Sequence, residues 1–196
     1  MTRSVHPIEV ESYRILRSIV DTAGLPPCTR AVVERVIHTS ADVSYAAELV
    51  CDEVALRAGW DALHGGAALV VDVRMLAAGI TSRAATVALD VPGPVPDGLT
   101  RTAAGMRRAA AQHPDGAVWA VGNAPTALRE LLRLGAAGAV RPALIVGLPV
   151  GFVDATEAKA SLRASGLPAV SNRSARGGTA VAAAAVNALL YLERGW

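Results

Sequence analysis

The sequence predicts an α/β fold: an open, mostly parallel sheet flanked by helices, with a helical N-terminal portion. Three observations carry this. Only helical patterns precede Gly65-Gly66; after that pair, short apolar runs recur; and stretches of helical periodicity separate those runs.

In chain order, Ile8, Ile15, Ile19 and Val20 mark an amphipathic helix from Pro7 to about Thr22, closed by Gly24 and Pro26-Pro27. A second helix is expected from Thr29 towards Ile37 and a third from about Ser44 to Ala58. The polar stretch from His38 to Asp42 interrupts them, which puts His38 at a helix terminus or junction. Next, Ala67 to Asp72 is an apolar run ended by a charge, as expected of a strand buried on both faces. Similar runs follow at Thr86 to Leu89, Ala117 to Val121 and Ala143 to Val146, with a weaker one near Pro168 to Val170. Between and after them, Leu99 to Gln112, Pro125 to Leu134, Ala155 to Ala164 and the alanine-rich Thr179 to Glu193 read as helices.

Composition narrows the function. A length of 196 residues suits one globular unit over residues 1–196, with a core that needs neither disulfides nor a structural metal. No uncharged apolar run reaches the roughly 18 residues that span a bilayer, and MTRSVHPIEVESYRI lacks the apolar core of a signal peptide. A soluble, cytoplasmic protein without a membrane partner is expected. The formal charge is only +2, no segment gathers a basic stripe, and Phe152 is the sole phenylalanine beside three Tyr and three Trp. Nucleic acid is therefore disfavoured as a partner. Cys28 and Cys51 lie far apart in apolar helical patterns, which fits buried, reduced thiols.

In an open α/β sheet, ligands bind beyond the carboxyl ends of the strands. Asp72, the segments Gly122 to Thr126 and Gly147 to Phe152, and Arg173 with Arg176-Gly177-Gly178-Thr179 all fall there. The last of these has the character of an anion site, because glycine admits a close backbone approach and the following helix presents its amides. Ordinary helix capping is the alternative. No phosphate-binding P-loop and no Gly-x-Gly-x-x-Gly occurs, so no nucleotide cofactor is expected. Neither zinc-type His/Cys spacing nor a Gly-x-Ser-x-Gly elbow is present. His6, His64 and His113 stand beside Pro or Gly, where structural roles are ordinary. His38 sits among small polar residues, where an imidazole could face a cleft; an exposed or structural histidine is the alternative.

Several segments, taken in order, resemble the precorrin-8X methylmutase family, which includes the cobalt-precorrin-8 enzymes. They are Ile8-x-x-x-Ser12-Tyr13-x-Ile15-Leu16-Arg17, Arg35-Val36-Ile37-His38, Asp72-Val73-x-Met75 with Gly79-Ile80-Thr81, Val121 to Leu128, Pro142 to Val153, Gly177-Gly178-Thr179-Ala180 and Ala183 to Leu189. The resemblance covers most of the chain. It implies a cofactor-free isomerase that shifts a methyl group from C11 to C12 of a tetrapyrrole in cobalamin biosynthesis, with no external methyl donor. It further implies that His38 is the acid that hydrogen-bonds or protonates the neighbouring ring nitrogen, a task suited to an imidazole with an ordinary pKa of about 6.5.

The substrate is flat and rimmed by acetate and propionate groups, so its site needs an apolar slot bordered by cations and amides. Candidates for that rim are Ser12, Thr81, Arg101, Asn123, Arg173, Arg176 and the turn Gly177, Gly178, Thr179. Arg101 matches a family arginine proposed to face the substrate; a solvated helix residue is the alternative. Homodimers with shared sites are a property of the family, and contact with neighbouring corrin-pathway enzymes is a further expectation. The chain departs from the family at Arg173-Ser174-Ala175-Arg176, where Arg-Gly-Arg is common, and at Asp154 and Ala158, where glycine and serine are frequent. The rival readings are a corrinoid carrier without catalysis and an unrelated α/β enzyme or nucleotide-binding module.

Overall fold

Proline sets the first two helix starts. A computed structural model describes residues 6–193, and in it α1 (Pro7–Ile19) and α2 (Pro27–Ser40) each begin with proline at the first helical position. The missing N–H costs nothing there because that group has no intrahelical partner. His6 caps α1 by accepting from the Ile8 amide at 3.2 Å. Ala41 ends α2 in the left-handed conformation, φ 53°, a position that favours glycine or asparagine.

The single helix expected from Ser44 to Ala58 does not form. The segment divides into α3 (Tyr45–Glu48), β1 (Leu49–Cys51) and α4 (Glu53–His64). Two local forces explain the break. The Asp52 carboxylate caps α4 by accepting from Val54 N at 2.9 Å, and Leu49-Val50-Cys51 pairs antiparallel with the last strand, Leu49 opposite Asn172 and Cys51 opposite Val170. Cys51 is thus a strand residue, not a helical one; both thiols are free, Cys28 buried and Cys51 half-buried.

The remaining elements alternate as the pattern predicts: β2 (Leu69–Val71), α5 (Arg74–Gly79), β3 (Thr86–Val87), α6 (Arg101–Gln112), β4 (Val118–Val121), α7 (Pro125–Ala136), β5 (Leu144–Gly147), α8 (Ala155–Ala164), β6 (Ala169–Asn172) and α9 (Thr179–Tyr191). The short helix α5 was not apparent in the sequence, and the run at Thr86 turns after two residues into a 3₁₀ segment, Ala88–Asp90. Strand order is β1-β6-β5-β4-β2-β3, parallel throughout except for β1.

Successive strand residues face opposite sides, and both sides are apolar. Val71, Val118, Ala120, Leu144, Val146 and Val170 pack against α2, α4, α5 and α9. Val70, Trp119, Val121 and Ile145 pack against α6, α7 and α8. Helix α9 is buried along Val181–Leu189 and lies between α2 and α5. Alanine permits this close approach: a Cβ on Gly79 would stand 2.8 Å from the Ala183 methyl. Among the described residues, no helix is long and apolar enough to cross a membrane.

Candidate active site

Helix α1 lies across the outer face of α2 and brings two of its residues onto one imidazole. Ser12 Oγ is 2.7 Å from His38 Nδ1, and the Tyr13 ring stacks on the His38 ring at 5.0 Å with an interplanar angle of 9°. The spacing explains the convergence, because adjacent residues on α1 straddle the ridge of α2 that carries His38. His38 occupies the last turn of α2 and is half-buried.

A charged frame fixes this pair of helices. Arg35, one turn before His38, pairs with Glu9 at 2.5 Å and donates a long hydrogen bond to Tyr13 Oη at 3.5 Å. Burial opposes the charge of Arg35, but Tyr13 and Glu9 outweigh it and raise its pKa. Burial also raises the Tyr13 phenol above its ordinary value, against the hydrogen bond from Arg35. Further along, Glu34 receives Arg17 at 2.7 Å, Arg30 at 3.0 Å and Thr22 Oγ1 at 2.5 Å. Burial alone would raise the Glu34 pKa; these partners prevail and bring it down to about 2.

Thr81 lies at the far end of α9, where its hydroxyl contacts Tyr191 Oη. The Arg35 guanidinium stands 5.2 Å over the Tyr191 ring. Thr81 is thus linked to the His38 surroundings through Tyr191 and Arg35.

The carboxyl ends of β4, β5 and β6 form a second cluster. Gly178 N donates to Leu148 O at 2.9 Å. At Gly177, φ 151°, a Cβ would fall 2.4 Å from Leu148 O and 2.7 Å from Pro149 O, so only glycine fits. A Cβ on Gly122 would meet Thr179 Cα at 2.9 Å, which places exposed Asn123 beside the turn that opens α9. Asp72, fully buried, accepts from the Asn123 and Ala124 amides at 2.8 and 3.1 Å. Burial raises its pKa, while the surrounding amides of Asn123, Ala124, Gly122 and Val73 favour the carboxylate.

Arg176 ties the two clusters together. Its guanidinium pairs with Asp42, just beyond α2, and with Glu48 at 3.4 Å, and it stands 5.2 Å over the Tyr45 ring. Arg173 and Arg101 are exposed, and among the described residues neither has an acidic partner. Arg101 starts α6, in the helical layer opposite His38, where Thr100 Oγ1 contacts Thr126 Oγ1 at 2.8 Å at the head of α7.

Residues 7–192 match the family described as CbiC: Precorrin-8X methylmutase. The chain belongs to the precorrin-8X methylmutase family. It is 41% identical to the precorrin-8X methylmutase of Pseudomonas aeruginosa, with 91% of each chain covered, and 36% identical to the cobalt-precorrin-8 methylmutase of Synechocystis, with 95% of each covered. The crystal structure of precorrin-8x methyl mutase from Thermus thermophilus superimposes with a TM-score of 0.84 at 35% identity, covering 94% of both chains. The fold described above is thus that of precorrin-8X methylmutases, isomerases of cobalamin biosynthesis.

Against this family background, sequence reasoning paired His38 with no particular neighbour. In the sequence, Tyr13 and Arg35 lie inside the family-like motifs with no role assigned to them, and Lys159 has none either. Burial of a lysine among alanines is the one signal that could have singled it out, and burial is not visible in a sequence. Among the described residues, no group of three or more His, Cys, Asp or Glu side chains is arranged to hold a metal ion.

Proposed function

We propose that the protein converts precorrin-8X, or its cobalt-containing counterpart, to hydrogenobyrinate or cobyrinate by moving the methyl group from C11 to C12, with His38 as the acid. The observation that carries this is the setting of His38 between Ser12 and Tyr13 in a chain of this family. With the Ser12 hydroxyl donating to Nδ1, the imidazole carries its proton on Nε2, the nitrogen from which it can be offered to a ring nitrogen of the substrate. Hydrogen bonding there draws electron density from the adjacent carbons while the C11–CH₃ bond breaks and the C12–CH₃ bond forms. The proton shared with the macrocycle returns to His38, so atoms and charge balance without a cofactor.

A neutral rearrangement gains most from being held in one geometry. Arg101, Arg173 and the turn Gly177-Gly178-Thr179, through its Gly177 amide, serve as the carboxylate rim, with Asn123 beside them and Thr81 and Arg176 bracing the border. The protein acts as one domain and as a homodimer with shared sites. Support for the dimer comes from Phe152, fully solvent-exposed, and Val153, largely so, apolar side chains on the loop after β5, which a second subunit would cover. Arg101, in the layer opposite His38, suits a site completed by the partner. The setting is the cytoplasm, where neighbouring corrin-pathway enzymes would deliver the substrate and take the product.

The test is anaerobic incubation of wild type and His38→Ala with precorrin-8X, followed by visible absorbance. Conversion by wild type, with binding but no turnover by the variant, is the expected result. Binding without conversion by wild type would replace the isomerase with a carrier, and no binding would end the corrinoid reading.

A further inference from the structure

Lys159 is wholly buried in α8. Its ammonium donates to Asn172 Oδ1 at 2.9 Å, to Arg176 O at 2.7 Å and to Ser174 O. Three N–H groups meet three acceptors, and all three belong to the five residues just before Gly177. Asn172 adds a bond from Nδ2 to Arg176 O at 2.9 Å. An ammonium in such a place is costly to desolvate, and the three hydrogen bonds it makes offset that cost by serving acceptors that an apolar side chain would leave without them. Those bonds fix the shape of the segment before Gly177.

The peptide geometry carries that shape into the turn. In a trans peptide the C=O and the following N–H point in opposite directions. Drawing Arg176 O onto Lys159 turns the Gly177 amide away from the buried ammonium. The next amide, Gly178 N, is already committed to Leu148 O. Gly177 N–H makes no hydrogen bond among the described residues and is left to receive an anion.

We infer that Lys159 is a positioning residue whose ammonium orients the Gly177 amide toward a carboxylate of the macrocycle, an inference that rests on the function proposed above.

The charged groups around Lys159 are Glu48 of α3, Arg163 on α8 itself, and Arg173 and Arg176 on the segment it holds. Glu48 accepts from Ser174 N at 2.9 Å and favours the ammonium, while Arg163 donates to Asn172 O at 2.6 Å and disfavours it. Burial dominates and lowers the Lys159 pKa to about 8. Above that pH the amine has two N–H groups for three acceptors, so one contact with the segment is released. Substrate carboxylates and arginines keep their charge throughout this range.

The experiment is titration of wild type and Lys159→Met with hydrogenobyrinate from pH 6.5 to 9.5, with amide hydrogen exchange of residues 173–178 followed at each pH and steady-state turnover of precorrin-8X measured at pH 7. For wild type, affinity falls about tenfold between pH 7 and pH 9.5, the loss of roughly one charge-assisted hydrogen bond. For Lys159→Met, affinity is already weak at pH 7 and does not change with pH; KM rises while kcat stays within about twofold, because His38 is untouched. Equal affinity and equal pH profiles in the two proteins would overturn the inference, as would a kcat loss without a change in KM. If Lys159→Met does not fold, the wild-type profile decides: pH-independent affinity and unchanged protection of 173–178 reject the role. If wild type binds no hydrogenobyrinate at any pH, the corrinoid reading falls by itself. Selective loss of protection at 173–178 above pH 8 would then still uphold the hold of Lys159 on the segment, and its absence would refute it.

Discussion

Ser12 Oγ and His38 Nδ1 lie 2.7 Å apart, and this contact joins two helices that are 26 residues apart in sequence. The contact equips Ser12 to set the imidazole, beside the place on the substrate rim that the sequence suggests for it. Replacing it tests the difference. Ser12→Ala is expected to lower kcat about tenfold, the worth of roughly one hydrogen bond, with little change in KM. Steady-state kinetics measure the split; a KM effect at constant kcat would return Ser12 to the substrate rim.

The three arginines proposed for the rim and its border should separate in two ways. Arg101 and Arg173 are exposed and have no acidic partner among the described residues, so Arg101→Ala and Arg173→Ala should each raise KM about tenfold while Tm stays nearly unchanged. Arg176 is bound to Asp42 and Glu48 and covers Tyr45. Arg176→Ala should therefore lower Tm as well as raise KM. Parallel thermal melts and kinetics on the three variants check this, and equal Tm values for all three would contradict it.

Gly177→Ala should be damaging for a steric reason. The added methyl would collide with the carbonyls of Leu148 and Pro149, which are backbone and cannot swing aside. A stability loss of about 1–3 kcal/mol is expected, from overpacking together with an unfavourable positive φ. Denaturant unfolding measures the loss, and a product titration should show weakened binding; wild-type behaviour in both would mean the turn relaxes freely.

Glu34 governs part of the acid stability. Its folded pKa, lowered to about 2, lies below the ordinary value of 4.5 for an unfolded chain. The stabilisation is therefore fully present above pH 4.5 and is lost as pH falls towards 2. Because Arg17 and Arg30 are partly exposed, screening reduces the contribution to about 2 kcal/mol. Glu34→Gln should show lower stability at pH 7 and a shallower decline between pH 4.5 and pH 2 in urea melts. A decline parallel to that of wild type would assign the acid sensitivity elsewhere.

Alternating apolar runs and helical stretches were enough to determine the parallel α/β sheet and its flanking helices, because a strand buried on both faces and an amphipathic helix leave different periods in the chain. The ordered motifs likewise determined the family and pointed to His38. The structure alone decided what long-range pairing controls. Residues 49–51 left the expected helix because β6 offered them hydrogen-bond partners more than 100 residues away. Tyr13 and Ser12 meet His38, Arg176 joins Asp42, and Lys159 grips the 172–176 segment only once the helices are packed. Local sequence sets the backbone preference of each segment, whereas the partner of a polar side chain depends on which distant segment the core places beside it.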